Sequence, residues 1–334
     1  MIMDPLEKVR LGNTEVKVTR LGMGGAPMGG LVTDAGANIA NETLKQAYEE
    51  GIRYFDTAPL YGRGKSEVFF GEFLSTLDQD SFTLSSKVGR LLDRTDTPSE
   101  DPIYRNPPEV KVRFDYSRDG VLRSIEESLT RLNLDRIDVA LIHDPDDHYE
   151  EAIDTAFPTL ADLRSQGVIG AIGSGMNQWE MLADFARNAD FDCFLLAGRY
   201  TLLDYSALSE FLPICEKNSI SVILGGPYNS GILASDLDEN VTYFYETAPQ
   251  HVIEKAKAIK SICDDFNIPL KAAALQFGLL HPAVAATIPG ARHPTEVSEN
   301  VEMAGLNIPS ELWQELKSER LLPEEAPTYE REGD

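Results

Sequence analysis

Cysteine and positive charge are both scarce in this chain of 334 residues, and each shortage excludes a class of protein. The three cysteines, Cys193, Cys215 and Cys263, are too widely spaced for a zinc site and too few for a disulfide scaffold. Against 55 Asp and Glu residues there are only 30 Lys and Arg residues, which leaves a net charge of −25. Because such an acidic surface repels phosphate groups, we expect no nucleic-acid partner and no attachment to an anionic membrane.

Long apolar runs are missing as well. No stretch reaches the ~20 apolar residues of a membrane helix, and the first residues lack the apolar core of a signal peptide. We therefore predict a cytoplasmic location. Hydrophobic residues make up 42% of the chain and charged residues 25%, which is typical of a globular protein rather than a disordered one. We predict one domain over residues 1–322 and a polar, flexible tail over residues 323–334.

The chain contains short apolar runs that alternate with helical patterns, the order expected of βα units. Eight runs predict strands, at Arg20–Gly24, Arg53–Thr57, Phe82–Lys87, Asp138–His143, Ile169–Gly173, Phe191–Ala197, Ser221–Gly226 and Ala283–Gly290. Eight units without a break predict a single (β/α)8 TIM barrel, with an open, doubly wound sheet as the alternative. No GxGxxG pattern follows a strand, and this argues against the open sheet.

A long polar segment, residues 89–117, interrupts the alternation after the third strand. It contains four prolines between positions 98 and 108. Because the segment follows a strand, it lies on the face where barrels carry their active sites, and we expect a lid or a substrate wall. A disordered insertion is the alternative, and the aromatic residues Tyr104, Phe114 and Tyr116 argue against it.

Four polar residues stand at or just beyond the ends of neighbouring strands. Asp56 ends the second strand and Tyr61 lies in the loop after it, whereas Lys87 and His143 end the third and fourth strands. The ends of parallel strands meet at one face of a barrel, so these side chains are expected to converge. A lysine beside a tyrosine lowers the tyrosine pKa, a carboxylate holds the lysine, and a histidine orients a substrate oxygen. We interpret the group as an acid–base site for hydride transfer, with a cofactor and no metal.

At these residues the sequence resembles the aldo-keto reductase superfamily. The segment GIRYFDTAPLYGRGKSEVFFGEFL (Gly51–Leu74) is similar to the family's stretch with the Asp and Tyr, SSKVG carries the Lys, and DVALIHDPD carries the His. The resemblance covers nearly the whole chain and implies an NAD(P)-dependent oxidoreductase. It also implies that Tyr61 is the general acid/base, that Lys87 and Asp56 set its pKa, and that His143 orients the substrate.

The same resemblance implies a cofactor site, and there this chain departs from the usual pattern. GSGMNQW stands where the family has a Ser-Asn pair, so Ser174 and Asn177 are only stand-ins for that pair. Glu296 stands where NADP-dependent members often have a phosphate-binding Arg, whereas Arg292 is a good phosphate ligand. We favour NAD and keep NADP as the alternative. The implied cofactor contacts are Gly24, Gly25, Ser174, Asn177, Gly226, Pro227, Asn229, Gly231, Gly290, Ala291, Arg292, Glu296, Glu299 and Asn300.

A narrower resemblance concerns the substrate, a small molecule. FDYSRDGVLRSIEESLTRL, IGSGMNQWEM and GGPYNSGIL are similar to a branch with D-threo-aldose 1-dehydrogenases, L-fucose dehydrogenases and pyridoxal 4-dehydrogenases. The branch implies oxidation of the anomeric carbon of a small aldose to the lactone. The alternatives are pyridoxal oxidation, aldehyde reduction with NADPH and a non-catalytic regulatory subunit. Candidate substrate contacts, aromatic for a flat substrate and polar for a sugar, are Phe114, Asp115, Tyr116, Trp179, Arg199 and Tyr228.

Overall fold

The computed structural model describes residues 4–31, 36–95, 101, 103–237 and 241–329. Part of the long polar segment and the last five residues of the predicted tail lie outside these ranges. Within the tail, Ala326 is buried, whereas the flexibility of residues 323–334 stays a prediction. No helix in the described ranges is long and apolar enough to span a lipid bilayer.

Eight parallel strands form one sheet, and each strand is hydrogen-bonded to the barrel strand that precedes it and the one that follows it along the chain. They are β1 (Met23–Gly24), β2 (Tyr54–Asp56), β3 (Thr83–Val88), β4 (Val139–His143), β5 (Ala171–Met176), β6 (Cys193–Ala197), β7 (Ser221–Gly225) and β8 (Val284–Ile288). The backbone N–H groups of Gly22 and Gly24 donate to the carbonyl oxygens of Thr287 and Pro289 at 2.9 and 3.1 Å, which closes the sheet. The predicted (β/α)8 barrel is therefore confirmed, and the open sheet is wrong.

The strands are buried on both faces, as expected for a parallel sheet covered by helices. Their inward side chains, together with Leu11 and Val18 from the chain before β1, form an apolar cluster in the barrel. The strand residues of the cluster are Tyr54, Val139, Leu141, Ala171, Cys193, Leu195, Ile223, Ala285, Ala286 and Ile288. Side chains alternate along a strand, so Asp56 shares the inward face with Tyr54, and His143 shares it with Leu141. Because Asp56 and His143 are also the last residues of their strands, they lie at the mouth of the barrel.

Helices cover the outside of the sheet. Several of them begin at a polar capping residue or end at a residue with left-handed backbone. The helix Arg118–Leu132 begins where the hydroxyl of Ser117 accepts the N–H of Gly120 at 3.1 Å, and it ends at Asn133 in the left-handed region. The α-helices span Gly36–Glu49, Lys65–Leu74, Arg118–Leu132, Tyr149–Glu151, Phe157–Ser165, Trp179–Asn188, Phe211–Asn218, Gln250–Asp265, Leu270–Phe277, Pro294–Gly305 and Ser310–Ser318. A π-helical stretch, Ala152–Ala156, joins two of them.

The long polar segment contains a β-hairpin. Its strands, Arg90–Arg94 and Val110–Phe114, pair antiparallel, and Arg90 lies opposite Phe114 at the end next to β3. The alternative prediction of a disordered insertion is therefore wrong for these two strands. Other two-stranded pairs are Lys8–Arg10 with Lys17–Thr19 and Thr242–Tyr243 with Glu246–Thr247.

Candidate active site

A buried ion pair joins the ends of β2 and β3. Nζ of Lys87 donates to Oδ2 of Asp56 at 2.8 Å and to the carbonyl oxygen of Thr57 at 2.9 Å. The hydroxyl of Ser85 donates to the other carboxylate oxygen of Asp56 at 2.7 Å. Only 2% of the Lys87 side chain and 1% of the Asp56 side chain are exposed. Each buried charge therefore has the partners that its removal from water requires.

Tyr61 and His143 complete the group. Tyr61 lies half-buried in the loop after β2, and Nζ of Lys87 stands 4.5 Å from the centre of its ring. The imidazole of His143 meets that ring edge-on, with 5.9 Å between the ring centres. The loop is fixed by a close approach of two glycines, since a Cβ on Gly62 (φ +61°) would overlap the backbone of Gly29. The structure thus brings the four predicted residues together at the barrel mouth.

The pKa of Tyr61 differs from the expectation drawn from the sequence. Burial raises this pKa well above its ordinary value, and the negative charges of Asp56 and Asp144 raise it further, while Arg90 lowers it. The predicted net lowering of this pKa is wrong, because burial and the nearby carboxylates outweigh the positive charges. Tyr61 is therefore a protonated phenol at neutral pH.

The imidazole of His143 is neutral at the same pH. Burial lowers the pKa of His143 well below its ordinary value, and the positive charges of Lys87 and Arg90 lower it further. Its Nδ1 atom is buried and has no hydrogen-bond partner in the described part of the chain. A neutral imidazole can hydrogen-bond to a substrate oxygen without adding a charge to the site.

Two charged residues next to this group were missed by the sequence reasoning. Arg90 begins the hairpin directly after β3, and Asp144 follows His143 at the end of β4. Nη2 of Arg90 donates to Oδ2 of Asp144 at 2.8 Å, and the same oxygen lies 3.5 Å from Nε2 of His143. Asp144 stands within the DVALIHDPD segment and Arg90 directly follows SSKVG, so both were next to recognised motifs. Only the folded chain shows that their side chains meet.

The candidate substrate contacts do not form one wall. Phe114 is 47% exposed at the base of the hairpin, and its ring stacks on that of His148 at 5.3 Å. Tyr116 is fully buried, and its hydroxyl donates to the carbonyl oxygen of His143 at 2.7 Å. Tyr116 therefore braces the end of β4 and is not a surface that a substrate can contact, which corrects its predicted role.

The other candidate substrate contacts are engaged by neighbouring protein groups. The carboxylate of Asp115 accepts the hydroxyl of Ser117 at 2.5 Å within its own turn. Trp179 is half-buried and packs against the outer core. Nε of Arg199 donates to the carbonyl oxygen of Asn177 at 3.3 Å, and Asn177 itself is exposed beyond β5. Among the described residues, none of these three side chains hydrogen-bonds to Asp56, Tyr61, Lys87 or His143.

Glycines at the closure of the barrel are explained by packing. A Cβ on Gly24 would stand 2.9 Å from a carbonyl oxygen of β8, and one on Gly25 would stand 2.7 Å from a carbonyl oxygen of β2. A Cβ on Gly290 would stand 2.5 Å from a proline ring, and Ala291 is buried. These positions need small residues whether or not a cofactor lies near them.

Ser174 does not reach the barrel mouth. β5 is longer than predicted, and Ser174 lies within it rather than after it. A Cβ on Gly173 or Gly175 would meet side chains of the interior cluster, so Ser174 between them faces outward. Its hydroxyl donates to the carbonyl oxygen of Ile142 at 2.9 Å. The sequence placed it wrongly because the strand's boundary was set three residues too early.

The loop after β7 and the helix after β8 lie side by side. The hydroxyl of Tyr228 donates to Oδ1 of Asn300 at 2.8 Å, which joins them. Gly226 and Gly231 have φ of +59° and +97°, and a Cβ on Gly231 would meet nothing within 4 Å. Oδ1 of Asn229 is buried without a hydrogen-bond partner among the described residues. An open glycine backbone and an unpaired buried acceptor fit a dinucleotide that carries an amide.

Arg292 and Glu296 bind each other at the start of helix Pro294–Gly305. Oε2 of Glu296 accepts the backbone N–H of Arg292 at 2.7 Å, and Oε1 accepts from Nη2 at 2.9 Å. Burial raises the pKa of Glu296, but these hydrogen bonds outweigh burial and leave the pKa below its ordinary value. The guanidinium of Arg292 is therefore already paired with an ionised carboxylate. Further along the helix, Glu299 accepts from Nζ of Lys271 at 2.6 Å.

A comparison with known families and proteins identifies the family of this chain. Residues 20–320 match the model of the Aldo/keto reductase family. The chain belongs to the aldo/keto reductase family. It is accordingly an NAD(P)-dependent oxidoreductase, and the family predicted from the sequence is confirmed.

Two relatives of this aldo/keto reductase are named dehydrogenases. It is 38% identical to a pyridoxal 4-dehydrogenase from Microbacterium luteolum, over 95% of this chain and 98% of the relative. It is also 38% identical to a D-threo-aldose 1-dehydrogenase from a Pseudomonas species, over 92% of this chain and 95% of the relative. A glycerol dehydrogenase structure from Gluconobacter oxydans shares the fold, with a TM-score of 0.78 and 24% identity over 97% of this chain and 99% of that one.

Proposed function

We propose that this enzyme oxidises the anomeric carbon of a small aldose, of the L-fucose or D-threo-aldose type, to the lactone with NAD. The observation that carries the proposal is the convergence of Asp56, Tyr61, Lys87 and His143 on one point of the barrel mouth. The similarity to a D-threo-aldose 1-dehydrogenase supports the substrate class. A cytoplasmic location is part of the proposal, and the free, buried cysteines are in keeping with it.

Tyr61 handles the proton in this reaction. When a cyclic hemiacetal is oxidised, the C1–H bond breaks with its electron pair and the hydroxyl on C1 loses its proton, so a C=O bond forms. The phenolate of Tyr61 takes that proton, and His143 holds the reacting oxygen by a hydrogen bond. The Lys87–Asp56 pair keeps a cation 4.5 Å from the ring centre of Tyr61. A bound nicotinamide dinucleotide supplies the acceptor for the hydride.

The residues after β7 and β8 would hold the dinucleotide. Gly226, Gly231 and the buried Asn229 border its path, and the first turn of helix Pro294–Gly305 presents backbone amides suited to phosphates. The carboxylate of Glu296 supports NAD over NADP, because it repels a 2′-phosphate and already engages Arg292. The other cofactor contacts implied by the sequence stay predictions.

The proposal is tested with Tyr61→Phe and a panel of aldoses. We expect the wild-type protein to reduce NAD⁺ with one stereochemical set of sugars, and the variant to lose most of the turnover, at least a hundredfold. NADH binding, measured by fluorescence, should stay within about threefold, because Tyr61 does not carry the proposed dinucleotide contacts. Tyr200→Phe is the matched control, since its buried hydroxyl has no partner among the described residues. Near-normal kcat in Tyr61→Phe rules out Tyr61 as the acid/base.

Pyridoxal is the second candidate substrate, and one observation favours it. The exposed ring of Phe114 stacks on His148 at 5.3 Å, which offers a flat substrate an aromatic partner. The relative named pyridoxal 4-dehydrogenase is as similar to this chain as the aldose dehydrogenase. Oxidation of pyridoxal without oxidation of any aldose would replace the leading proposal by this one.

A further inference from the structure

Arg90 and Asp144 form an ion pair at the barrel mouth that the acid–base group does not use. The pair is largely buried, with 15% of the Arg90 side chain and 26% of the Asp144 side chain exposed. Removing two charges from water costs free energy, and an aldehyde without further polar groups would not need such a pair beside it. Its place next to His143 therefore indicates a substrate with polar groups beyond the reacting one.

The pair stands close to the residues that handle the reacting oxygen. Oδ2 of Asp144 accepts from Nη2 of Arg90 at 2.8 Å and lies 3.5 Å from Nε2 of His143. The charge of Asp144 also acts on Tyr61, whose pKa it raises. A substrate whose reacting carbon lies between Tyr61 and His143 thus brings its neighbouring carbon atoms near Arg90 and Asp144.

The backbone holds the carboxylate in one place. Asp144 has φ of +40°, a left-handed conformation that an L-residue keeps only when its surroundings fix it. Its N–H donates to the carbonyl oxygen of Gly175 at 3.0 Å, and its own carbonyl oxygen accepts the hydroxyl of Tyr116 at 3.1 Å. The guanidinium of Arg90 lies 4.9 Å from the centre of the Phe114 ring. Both charged groups are therefore in position before a substrate arrives.

Both partners keep hydrogen-bonding capacity for a ligand. The hydrogen bond of the Arg90 guanidinium to Asp144 uses Nη2, and 15% of the Arg90 side chain stays exposed. The contacts of the Asp144 carboxylate with Arg90 and His143 both use Oδ2. A guanidinium only donates and a carboxylate only accepts, so together they match a hydroxyl that donates beside one that accepts.

We propose that Arg90 and Asp144 are a positioning pair that recognises a vicinal diol on the substrate. The carboxylate accepts the O–H of one hydroxyl, and the guanidinium donates to the oxygen of its neighbour. Because the pair has no net charge, it favours neutral polyhydroxylated aldoses over phosphorylated or acidic sugars. The inference rests on the proposed function, since it concerns how the same site selects its aldose.

The experiment compares an accepted aldose with its 2-deoxy and 3-deoxy forms, in the wild-type protein and in Asp144→Asn and Arg90→Met. In the wild type we expect kcat/KM for at least one deoxy sugar to be about ten- to a hundredfold lower than for the parent. Each substitution also changes the pKa of Tyr61 or His143, but that effect is common to both sugars. Both variants should therefore lose about ten- to a hundredfold more kcat/KM with the parent sugar than with that deoxy sugar. The preference for the parent therefore collapses, which a purely structural role of the pair would not cause.

Asp93→Asn is the matched control on the same hairpin. It breaks partly exposed ion pairs of Asp93 with Arg113 at 2.6 Å and with Arg123 at 2.8 Å, and it should leave the ratio between parent and deoxy sugars unchanged. Reduction of propanal with NADH shows that each variant is folded and active. Equal losses with parent and deoxy sugars in both variants overturn the inference alone. No oxidation of any aldose by the wild type overturns the proposed function first.

Discussion

Burial and two carboxylates raise the pKa of Tyr61 well above its ordinary value, so its phenol stays protonated far above neutral pH. Oxidation needs the phenolate, whose fraction rises about tenfold per pH unit below the pKa. We therefore expect kcat/KM for aldose oxidation to climb from pH 6 to pH 10 without a plateau, while aldehyde reduction stays level. Initial rates in both directions at constant ionic strength test this. A plateau of the oxidation rate between pH 7 and 8 would contradict it.

Glu296 is a second residue whose charge has a testable consequence. Glu296→Gln removes a negative charge and weakens the hold on Arg292, now 2.9 Å from Oε1. We expect the KM for NADP⁺ to fall about tenfold relative to that for NAD⁺, because the guanidinium becomes free to pair with the 2′-phosphate.

Glu302→Gln serves as the control for this change of charge. It removes one exposed carboxylate from the same helix, so it separates a local effect from the general loss of negative charge. If both variants alter the KM ratio equally, Glu296 does not select the cofactor.

At the scale of elements, the junction between β3 and the hairpin positions Arg90 beside the site. Gly89 has φ of +99°, and a Cβ there would stand 2.0 Å from the ring of Tyr116. Gly89→Ala should therefore lower the free energy of unfolding by about 2–4 kcal/mol, from backbone strain and steric overlap together. Urea unfolding measures this loss.

Gly167→Ala separates the cost of backbone strain from the cost of steric overlap. Gly167 also has positive φ, +72°, but a Cβ there would meet nothing within 4 Å. Strain alone should cost about 1 kcal/mol. Equal losses in the two variants would show that Tyr116 moves aside without cost.

The whole molecule carries a net charge of −25, so its folded state is opposed by repulsion among its own charges. Screening by salt weakens this repulsion. We expect the Tm to rise by about 5 °C between 10 mM and 500 mM NaCl, measured by calorimetry. Sucrose at the same osmolality controls for exclusion of solute from the surface. An unchanged Tm would show that the acidic groups are already compensated by their ion pairs.

The sequence predicted the barrel and the candidate acid–base group because both rest on local patterns. Apolar runs of strand length recur between helical patterns, and barrel geometry sends the ends of such strands to one face. Asp56 and His143 end their strands and Lys87 is the last residue but one of β3, so their convergence followed once the strands were found. Ser174 was misplaced because the predicted end of β5 was three residues too early, which put Ser174 in the loop beyond the strand instead of within it.

The strands of the hairpin and the Arg90–Asp144 pair could not be predicted from the sequence. Each joins residues that are far apart along the chain. The two strands of the hairpin are separated by residues 95–109, and Arg90 is 54 positions from Asp144. The same holds for the pKa of Tyr61, which depends on burial and on distances to charges from other loops. The sequence alone therefore determined the fold, the family and the four residues at the mouth. The tertiary structure decided their protonation and their charged neighbours, because electrostatic interactions depend on distance in space and on exclusion of water.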